Sequence, residues 1–325
     1  MILDYASLFG GLAILLVAGD ILVRGSVSLA QSFGIPAIVI GLTIVAFGTS
    51  APELVISLRA ALEGAGGIAV GNVVGSNIAN VLLVLGLPSL LAATHCGEEG
   101  SVKSAIFMIA VSLVFILFCY FPPLGLPAGL ALLFLLIIFL AESVRSAHRA
   151  RREGRAARDA GEELLEEVEG LPKEIWLASL FVFAGLIALP AGANFTIDGA
   201  VSIARSWHVS DAAIALTIIA LGTSLPELAT TLMSAVRGQA GVAVGNVIGS
   251  NIFNLLAIMG TVAVITPVSV PAEIMSFDIW AMLGASVLLL LFAAMSVTLK
   301  RVSGFALVAI YGGYIALVFL LGRMA

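Results

Sequence analysis

Two stretches decide the fold of this chain: GLTIVAFGTSAPELVISLRAALEGAGGIAVGNVVGSNIANVLLVLG at 41–86 and ALTIIALGTSLPELATTLMSAVRGQAGVAVGNVIGSNIFNLLAIMG at 215–260. They align without a gap at an offset of 174 residues, and 26 of the 46 aligned positions are identical. Agreement at this level indicates an internal duplication. The chain is therefore built from two related halves.

The composition places both halves in a lipid bilayer. Of the 325 residues, 61% are apolar and only 11% are charged, and the mean hydropathy is +1.16. Soluble domains are about 25% charged, so this composition excludes a cytosolic enzyme, a nucleic-acid-binding protein and a disordered protein. We predict an all-α polytopic membrane protein.

Ten segments are long and apolar enough to be spanning helices, each of which needs roughly 20 mainly apolar residues. Five of these spans lie in each half. Because five is an odd number, the second half crosses the membrane in the opposite orientation to the first, as in the inverted repeats of secondary transporters. We therefore predict a five-helix repeat at 1–146, a charged loop at 147–174 and a second five-helix repeat at 175–325. The predicted spans are 8–30, 36–62, 68–92, 103–121, 126–146, 175–203, 211–236, 242–267, 277–299 and 303–322.

Lysine and arginine are distributed unevenly between the two sides of the predicted membrane. With the 147–174 loop inside, eleven of these residues are cytoplasmic and three are outside, leaving aside Arg24, which is buried in span 1. Because cytoplasmic loops carry such an excess, we expect both termini to lie outside. The loop is then a cytoplasmic linker or, alternatively, a regulatory segment for an ion or partner, although no protein partner is evident.

Each half places one glutamate, Glu53 or Glu227, within an apolar span. A charge at the bilayer centre costs at least about 2.5–3.5 kcal/mol, so such residues tend to be paired or functional. A neutral glutamate that joins two helices by hydrogen bonds is the structural alternative. Because the two glutamates occupy equivalent positions of an inverted repeat, we favour a functional site near the midplane.

The sequence before each glutamate predicts a broken helix in spans 2 and 7. The hexapeptide GTSAPE at 48–53 recurs as GTSLPE at 222–227, and proline both removes an amide donor and clashes with the carbonyl four residues back. Such breaks expose only oxygen ligands, which suit Ca²⁺ and Na⁺. A simple proline kink, with its hydroxyls bonded back to the helix, is the alternative. The hydroxyls concerned belong to Thr49, Ser50, Thr223 and Ser224.

Spans 3 and 8 carry a second motif, GNVVGSNIAN at 71–80 and GNVIGSNIFN at 245–254. Its serine and its last asparagine are four residues apart and share one helix face. Glycines at 67, 71 and 75, and again at 241, 245 and 249, predict close packing against the broken helices. The residues on the polar faces are Ser76, Asn80, Ser250 and Asn254. Those left open between ligand and interhelical hydrogen-bonding roles are Asn72, Asn77, Asn246 and Asn251.

Other polar residues do not indicate a second site. Asp20 and Arg24 can pair at i,i+4 in span 1, either for local neutralisation or, alternatively, for ion access. Cys96 and Cys119 fall on opposite sides of the membrane, so we expect no disulfide between them.

The chain resembles the calcium/cation antiporter superfamily, especially short prokaryotic sodium/calcium exchangers. The resemblance is to the two α-repeats of that family and is carried by Gly-Thr-Ser-x-Pro-Glu-Leu followed by Gly-Asn-Val-x-Gly-Ser-Asn-Ile-x-Asn, which is present twice. The resemblance covers essentially the whole chain, and it implies an integral protein of a prokaryotic cell (inner) membrane. It implies that Ca²⁺ and Na⁺ are transported without a prosthetic group, and that spans 1 and 6 slide as a unit past the other eight. It also implies ion ligation by Glu53, Glu227, Thr49, Ser50, Thr223, Ser224, Ser76, Ser250, Asn80, Asn254 and the carbonyls of Ala46 and Ala220.

The resemblance also bears on which cation is coupled to Ca²⁺. Some members, including potassium-cotransporting exchangers, carry Asp where Asn254 stands here, which argues against potassium dependence. The proton-coupled branch typically carries a further carboxylate in spans 3 and 8, and the segments 71–80 and 245–254 have none.

These observations predict an antiporter, not an enzyme, that moves Ca²⁺ out in exchange for Na⁺ by alternating access. A Ca²⁺(cation)/H⁺ antiporter on the same scaffold is the alternative, because two close carboxylates can also take up protons. A channel would need no inverted repeat with an alternating barrier. An intramembrane hydrolase would need a nucleophile–base pair or an aspartate dyad, which the midplane sequence lacks.

Overall fold

The protein is a polytopic membrane protein whose membrane-spanning segments are helices. Its structure is a computed structural model that describes residues 2–121, 123–159, 171–207 and 220–322. Within these ranges, eight helices are long and apolar enough to cross a membrane, and a helix pair bent by 44° makes a ninth candidate. The helices are α1 (Ile2–Phe33), α2 (Ala37–Thr49), α3 (Ala51–Leu62), α4 (Gly66–Leu91), α5 (Ser101–Cys119), α6 (Leu126–Asp159), α7 (Ile175–Ser206), α8 (Leu225–Val236), α9 (Ala240–Ile265), α10 (Ile274–Ala294) and α11 (Arg301–Gly322).

The bent pair is α2 and α3, which correspond to the predicted span 36–62. The chain turns at Ser50, and Pro52 stands in the first turn of α3, where the missing amide hydrogen costs nothing. The predicted span 211–236 begins on residues outside the described ranges. Its described part is a helical turn at Ala220–Gly222 followed by α8.

Two features differ from the sequence predictions. Helix α6 continues to Asp159 and so enters the segment predicted as the loop 147–174, because arginine and alanine are good helix formers. A small antiparallel ribbon joins β1 (Thr94–His95) to β2 (Thr298–Leu299). The all-α prediction missed this ribbon because strands of two residues leave no periodic pattern in the sequence.

The helices form two packed groups. The larger apolar core involves α2 to α6 and α9 to α11, and a second core lies where α1 and α7 meet parts of α2, α8 and α9. Helices α1 and α7 pack against each other along their length. At Gly185 an added Cβ would lie 2.7 Å from the Leu22 Cβ, so only glycine permits this close approach.

Candidate cation site

The two intramembrane glutamates begin the helices that follow the two turns. Glu53 lies in the first turn of α3 and Glu227 in the first turn of α8, and both side chains are fully buried. A helix N-terminus carries a partial positive charge that stabilises a carboxylate. The turns therefore present both acidic groups to the interior of the protein, as the sequence repeat predicts.

A hydrogen bond joins the two halves directly at these turns. Ser50, at the bend between α2 and α3, donates through Oγ to Glu227 Oε1 at 3.2 Å. This bond therefore connects the turn of the first repeat to the carboxylate of the second.

Thr49 is fully buried next to this contact. Its hydroxyl donates to Asn246 Oδ1 at 3.2 Å and lies 3.4 Å from Ser250 Oγ. In the second half, Thr223 and Ser224 are also buried, in the turn that precedes α8. The four predicted hydroxyls therefore lie at the two turns, as their spacing in the sequence indicates.

The family resemblance also implies two backbone carbonyls as ligands, those of Ala46 and Ala220, and the structure describes more contacts for the first than for the second. The Ala46 oxygen, in the last turn of α2, accepts the Ser50 N–H at 3.0 Å and lies 3.4 Å from the hydroxyl oxygen of Thr49. Ala220 begins the helical turn that precedes Thr223. A ligand role for either carbonyl remains a prediction.

Asparagines from α4 and α9 complete the polar cluster. Asn80 and Asn254 each begin a short π-helical segment, Asn80–Val84 in α4 and Asn254–Ile258 in α9. Such segments occur often at functional sites. Asn254 donates to Ser76 Oγ at 3.2 Å, which links the polar face of one repeat to that of the other.

Several buried oxygens of this cluster have no hydrogen-bond partner among the described residues. Leaving a buried acceptor unpaired costs about 1–3 kcal/mol, and more for a charged group. A bound cation would satisfy such acceptors. The atoms concerned are Glu53 Oε1 and Oε2, Glu227 Oε2, Asn80 Oδ1, Asn254 Oδ1 and Ser224 Oγ.

The unpaired acceptors of the site are all oxygens, half of them from the two carboxylates and half from amide and hydroxyl groups. Within the described ranges, no group of three or more His, Cys, Asp or Glu side chains comes together. Two carboxylates surrounded by hydroxyls and amides suit hard cations and not zinc or copper. The residues present therefore fit Ca²⁺ or Na⁺ as cargo.

The remaining motif asparagines form interhelical hydrogen bonds. Asn72 donates to Ser57 Oγ at 3.0 Å, and Asn246 donates to Thr231 Oγ1 at 3.1 Å. Sequence reasoning missed Ser57 and Thr231, although they are equivalent positions at the repeat offset of 174 residues. Matching the two halves position by position would have identified them.

The glycines of α9 approach α2 closely, as predicted from the second motif. A Cβ at Gly245 would lie 2.6 Å from the Ile38 carbonyl oxygen, and one at Gly249 would lie 2.6 Å from that of Leu42. In the first half, a Cβ at Gly71 would lie 3.6 Å from Ile274 Cδ1, and one at Gly75 would meet none of the described residues within 4 Å.

Other intramembrane charges lie apart from this cluster. Asp20 pairs with Arg24, as expected, and also with Arg237, which joins α1 to the end of α8. Asp278 in α10, which the sequence reading overlooked, accepts a hydrogen bond from the Tyr314 hydroxyl at 2.8 Å. Cys96 and Cys119 are both free thiols, as predicted.

Comparison with known proteins identifies a family pattern that spans both halves. The pattern described as "Sodium/calcium exchanger protein" matches residues 4–144 and 177–320. The chain is 36% identical to inner membrane protein YrbG of Escherichia coli (strain K12) over 290 residues, which are 89% of this chain and 88% of YrbG.

Two further relatives cover nearly the whole chain. Sodium/calcium exchanger MaX1 of Methanosarcina acetivorans is 31% identical over 348 aligned positions, which cover 97% of this chain and 98% of MaX1. Among solved structures, the sodium-calcium exchanger NCX_Mj superposes with a TM-score of 0.81 at 31% identity, covering 97% of this chain and 98% of that one.

Proposed function

Because the chain belongs to the sodium/calcium exchanger protein family, we propose that it exchanges Na⁺ for Ca²⁺ across the membrane by alternating access. It is a transporter and not an enzyme. The transported ions bind between the two halves of the chain, at the two turns that carry Glu53 and Glu227. No prosthetic group takes part.

The observation that carries this proposal is the set of buried, unpartnered oxygens at the two turns. Both oxygens of Glu53, one of Glu227 and the amide oxygens of Asn80 and Asn254 lack partners among the described residues. Such a set, with three oxygens from the first repeat and two from the second, is what a dehydrated Ca²⁺ requires. The hydroxyls at both turns and the carbonyls of Ala46 and Ala220 complete the proposed ligand set.

The coupling follows from charge. Two ionised carboxylates give the empty site a charge of about −2, and moving that charge past an apolar barrier is costly. One Ca²⁺ neutralises the pair, and so do sodium ions bound to the same oxygens. Only a loaded site crosses the barrier, so the movement of one ion depends on the counter-movement of the other.

The proposed architecture is a ten-helix inverted repeat with breaks in spans 2 and 7. The repeats comprise residues 1–146 and 175–325, joined by the 147–174 segment in the cytoplasm, with both termini outside. The lysine and arginine distribution supports this orientation. The similarity to YrbG, an inner membrane protein of Escherichia coli, supports a prokaryotic inner membrane location.

The packing of α1 on α7 supports alternating access by relative sliding. Both helices belong to the second apolar cluster, together with parts of α2, α8 and α9, and small residues line the contacts between α1 and α7. Small residues let two backbones approach closely, so the pair can move together. Movement of the pair relative to the remaining helices would open the site to one side at a time.

A cation/proton antiporter is the second candidate, and the complete burial of both glutamates favours it. Protons can neutralise buried carboxylates as sodium ions do. In a sodium-coupled exchanger, lowering the pH weakens Ca²⁺ binding because protons occupy the same carboxylates. A pH gradient alone then drives little Ca²⁺ flux.

The test is ⁴⁵Ca²⁺ uptake into proteoliposomes preloaded with Na⁺, with K⁺ or at a different internal pH. We expect rapid ⁴⁵Ca²⁺ uptake only into Na⁺-loaded proteoliposomes, and no uptake into vesicles that lack the protein. Sustained, saturable accumulation under a pH gradient without Na⁺ would instead establish proton coupling. Ionophores that collapse each gradient separately provide the control.

A further inference from the structure

Asn77 of α4 and Asn251 of α9 form a reciprocal pair where the two repeats meet. Asn77 Nδ2 donates to the backbone carbonyl of Asn251 at 3.2 Å, and Asn251 Nδ2 donates to the backbone carbonyl of Asn77 at 3.2 Å. Both side chains are buried, at 1% and 0% exposure. The two residues are equivalent positions of the sequence repeat.

The backbone carbonyls determine which way each of these amides points. A carbonyl oxygen only accepts hydrogen bonds, so the group facing it must be the NH₂ of the asparagine. The Oδ1 atoms of Asn77 and Asn251 must therefore face elsewhere. Asn77 Oδ1 accepts from Asn254 Nδ2 at 2.9 Å, and Asn251 Oδ1 accepts from Asn80 Nδ2 at 3.0 Å.

The same logic then determines the orientation of Asn80 and Asn254. Asn254 also donates to Ser76 Oγ at 3.2 Å, so both of its amide hydrogens have acceptors. The Oδ1 atoms of Asn80 and Asn254 are left buried without a partner among the described residues. These are the oxygens assigned above to the transported cation.

We propose that Asn77 and Asn251 are positioning residues, which hold the amides of Asn254 and Asn80 with oxygen, and not NH₂, toward the cation. An asparagine rotated by 180° would present two donor hydrogens, which repel a cation and bind no Ca²⁺. The inference rests on the proposed function, because it assigns a role within the same site. It places neither Asn77 nor Asn251 among the ligands.

A carboxylate offers a direct test, because its two ends are both oxygen and it has no wrong orientation. Asn77→Leu removes the acceptor that orients Asn254, so we expect the KM for Ca²⁺ to rise about tenfold with a smaller change in maximal rate. A tenfold change corresponds to about 1.4 kcal/mol of binding free energy. In an Asn254→Asp background, Asn77 Oδ1 faces a carboxylate oxygen with no hydrogen between them, so the same Asn77→Leu change should leave the KM for Ca²⁺ unchanged or lower it.

The matched control is Asn72→Leu, which also removes an amide that hydrogen-bonds between helices, to Ser57. Asn72 and Ser57 both lie outside the proposed ligand set. Na⁺-driven ⁴⁵Ca²⁺ uptake gives the KM, and thermal unfolding of the purified protein reports stability. We expect Asn72→Leu to lower stability without the tenfold rise in KM.

The mutant cycle separates positioning from a purely structural role. Equal KM changes from Asn77→Leu in both backgrounds, or loss of stability alone, would overturn the inference. The reciprocal cycle combines Asn251→Leu with Asn80→Asp and tests whether Asn251 positions Asn80. The conclusion therefore does not depend on the folding of a single variant. Absence of Na⁺-driven uptake by the wild-type protein would instead reject the proposed function.

Discussion

At the scale of single residues, the proposed site depends on two carboxylates that differ in their surroundings. Glu227 accepts a hydrogen bond from Ser50, whereas both Glu53 oxygens lack partners among the described residues. The equal spacing of the repeat predicts two equivalent glutamates. The structure shows that they are equivalent in position but not in hydrogen bonding.

Removing either carboxylate charge should abolish exchange without unfolding the protein. Glu53→Gln and Glu227→Gln each keep the shape of the side chain but leave only one negative charge to balance Ca²⁺. We therefore expect Na⁺-driven ⁴⁵Ca²⁺ uptake to fall at least about 100-fold. A 100-fold loss of affinity corresponds to about 2.7 kcal/mol of binding free energy. Glu63→Gln is the control, because Glu63 is exposed and pairs only locally with Arg59. Near-normal uptake by either glutamate variant would contradict the ligand assignment.

Because residue 254 is an asparagine and not an aspartate, we expect exchange not to require potassium. An amide at this position leaves the site with two carboxylates, which one Ca²⁺ neutralises without a further monovalent cation. We expect equal Na⁺-driven Ca²⁺ flux with K⁺ and with choline in the external buffer. Asn254→Asp adds a third carboxylate and should change the dependence on monovalent cations, with protein yield as the control measurement. Loss of wild-type flux on removal of K⁺ would reverse this conclusion.

At the scale of helices, the site is held in place by close backbone packing of α2 on α9. Gly245 lies against the Ile38 carbonyl, and Gly249 lies against that of Leu42. These contacts leave no room for a side chain between the helix that ends at Thr49 and the helix that carries Ser250. The spacing of the glycines predicted close packing, and the structure identifies its partner.

A methyl group at Gly245 should separate these helices. Its Cβ would lie 2.6 Å from the Ile38 oxygen and 3.1 Å from the Leu42 nitrogen, and backbone atoms cannot move aside cheaply. We expect Gly245→Ala to destabilise the protein by about 1–3 kcal/mol, measured as a lower unfolding temperature in detergent. Gly284→Ala is the control, since an added Cβ there meets none of the described residues within 4 Å. Equal unfolding temperatures for the two variants would show that the packing is looser than described.

At the scale of the whole molecule, α1 has a polar contact that joins it to α8 and another that joins it to α7. Asp20 pairs with Arg237 at the end of α8, while Ser202 donates to Asp4 within the α1–α7 pair at 2.8 Å. If the pair slides as a unit, the first contact must change during transport and the second need not.

Cross-linking should distinguish these two contacts. Asp20→Cys with Arg237→Cys, bridged by a short bifunctional thiol reagent, should stop exchange because it ties α1 to α8. Asp4→Cys with Ser202→Cys, bridged by the same reagent, should leave most of the exchange intact because both residues belong to the sliding pair. The measurement is ⁴⁵Ca²⁺ flux before bridging, after bridging and after reduction. Full activity of the bridged Asp20–Arg237 variant would exclude sliding of α1 past α8.

Much of the helix pattern and of the candidate ligand set is visible in the sequence alone. A lipid environment requires long apolar segments, since every backbone polar group must be satisfied within its own helix. Exact repetition of GTSxPE and GNVxGSNIxN at one offset then identifies the few polar positions that apolar spans retain. Composition and repetition therefore suffice for the class of protein, for most helix positions and for candidate residues.

Only the tertiary structure decided which polar atoms are paired and which remain available. Asn77 and Asn80 have the same side chain and lie three residues apart in one motif, yet Asn77 forms hydrogen bonds through both ends of its amide, whereas the Asn80 oxygen has no described partner. The Ser50–Glu227 bond likewise joins residues 177 positions apart. Hydrogen bonds depend on distance and direction between atoms of different helices, and local sequence cannot specify either until the two repeats are packed together.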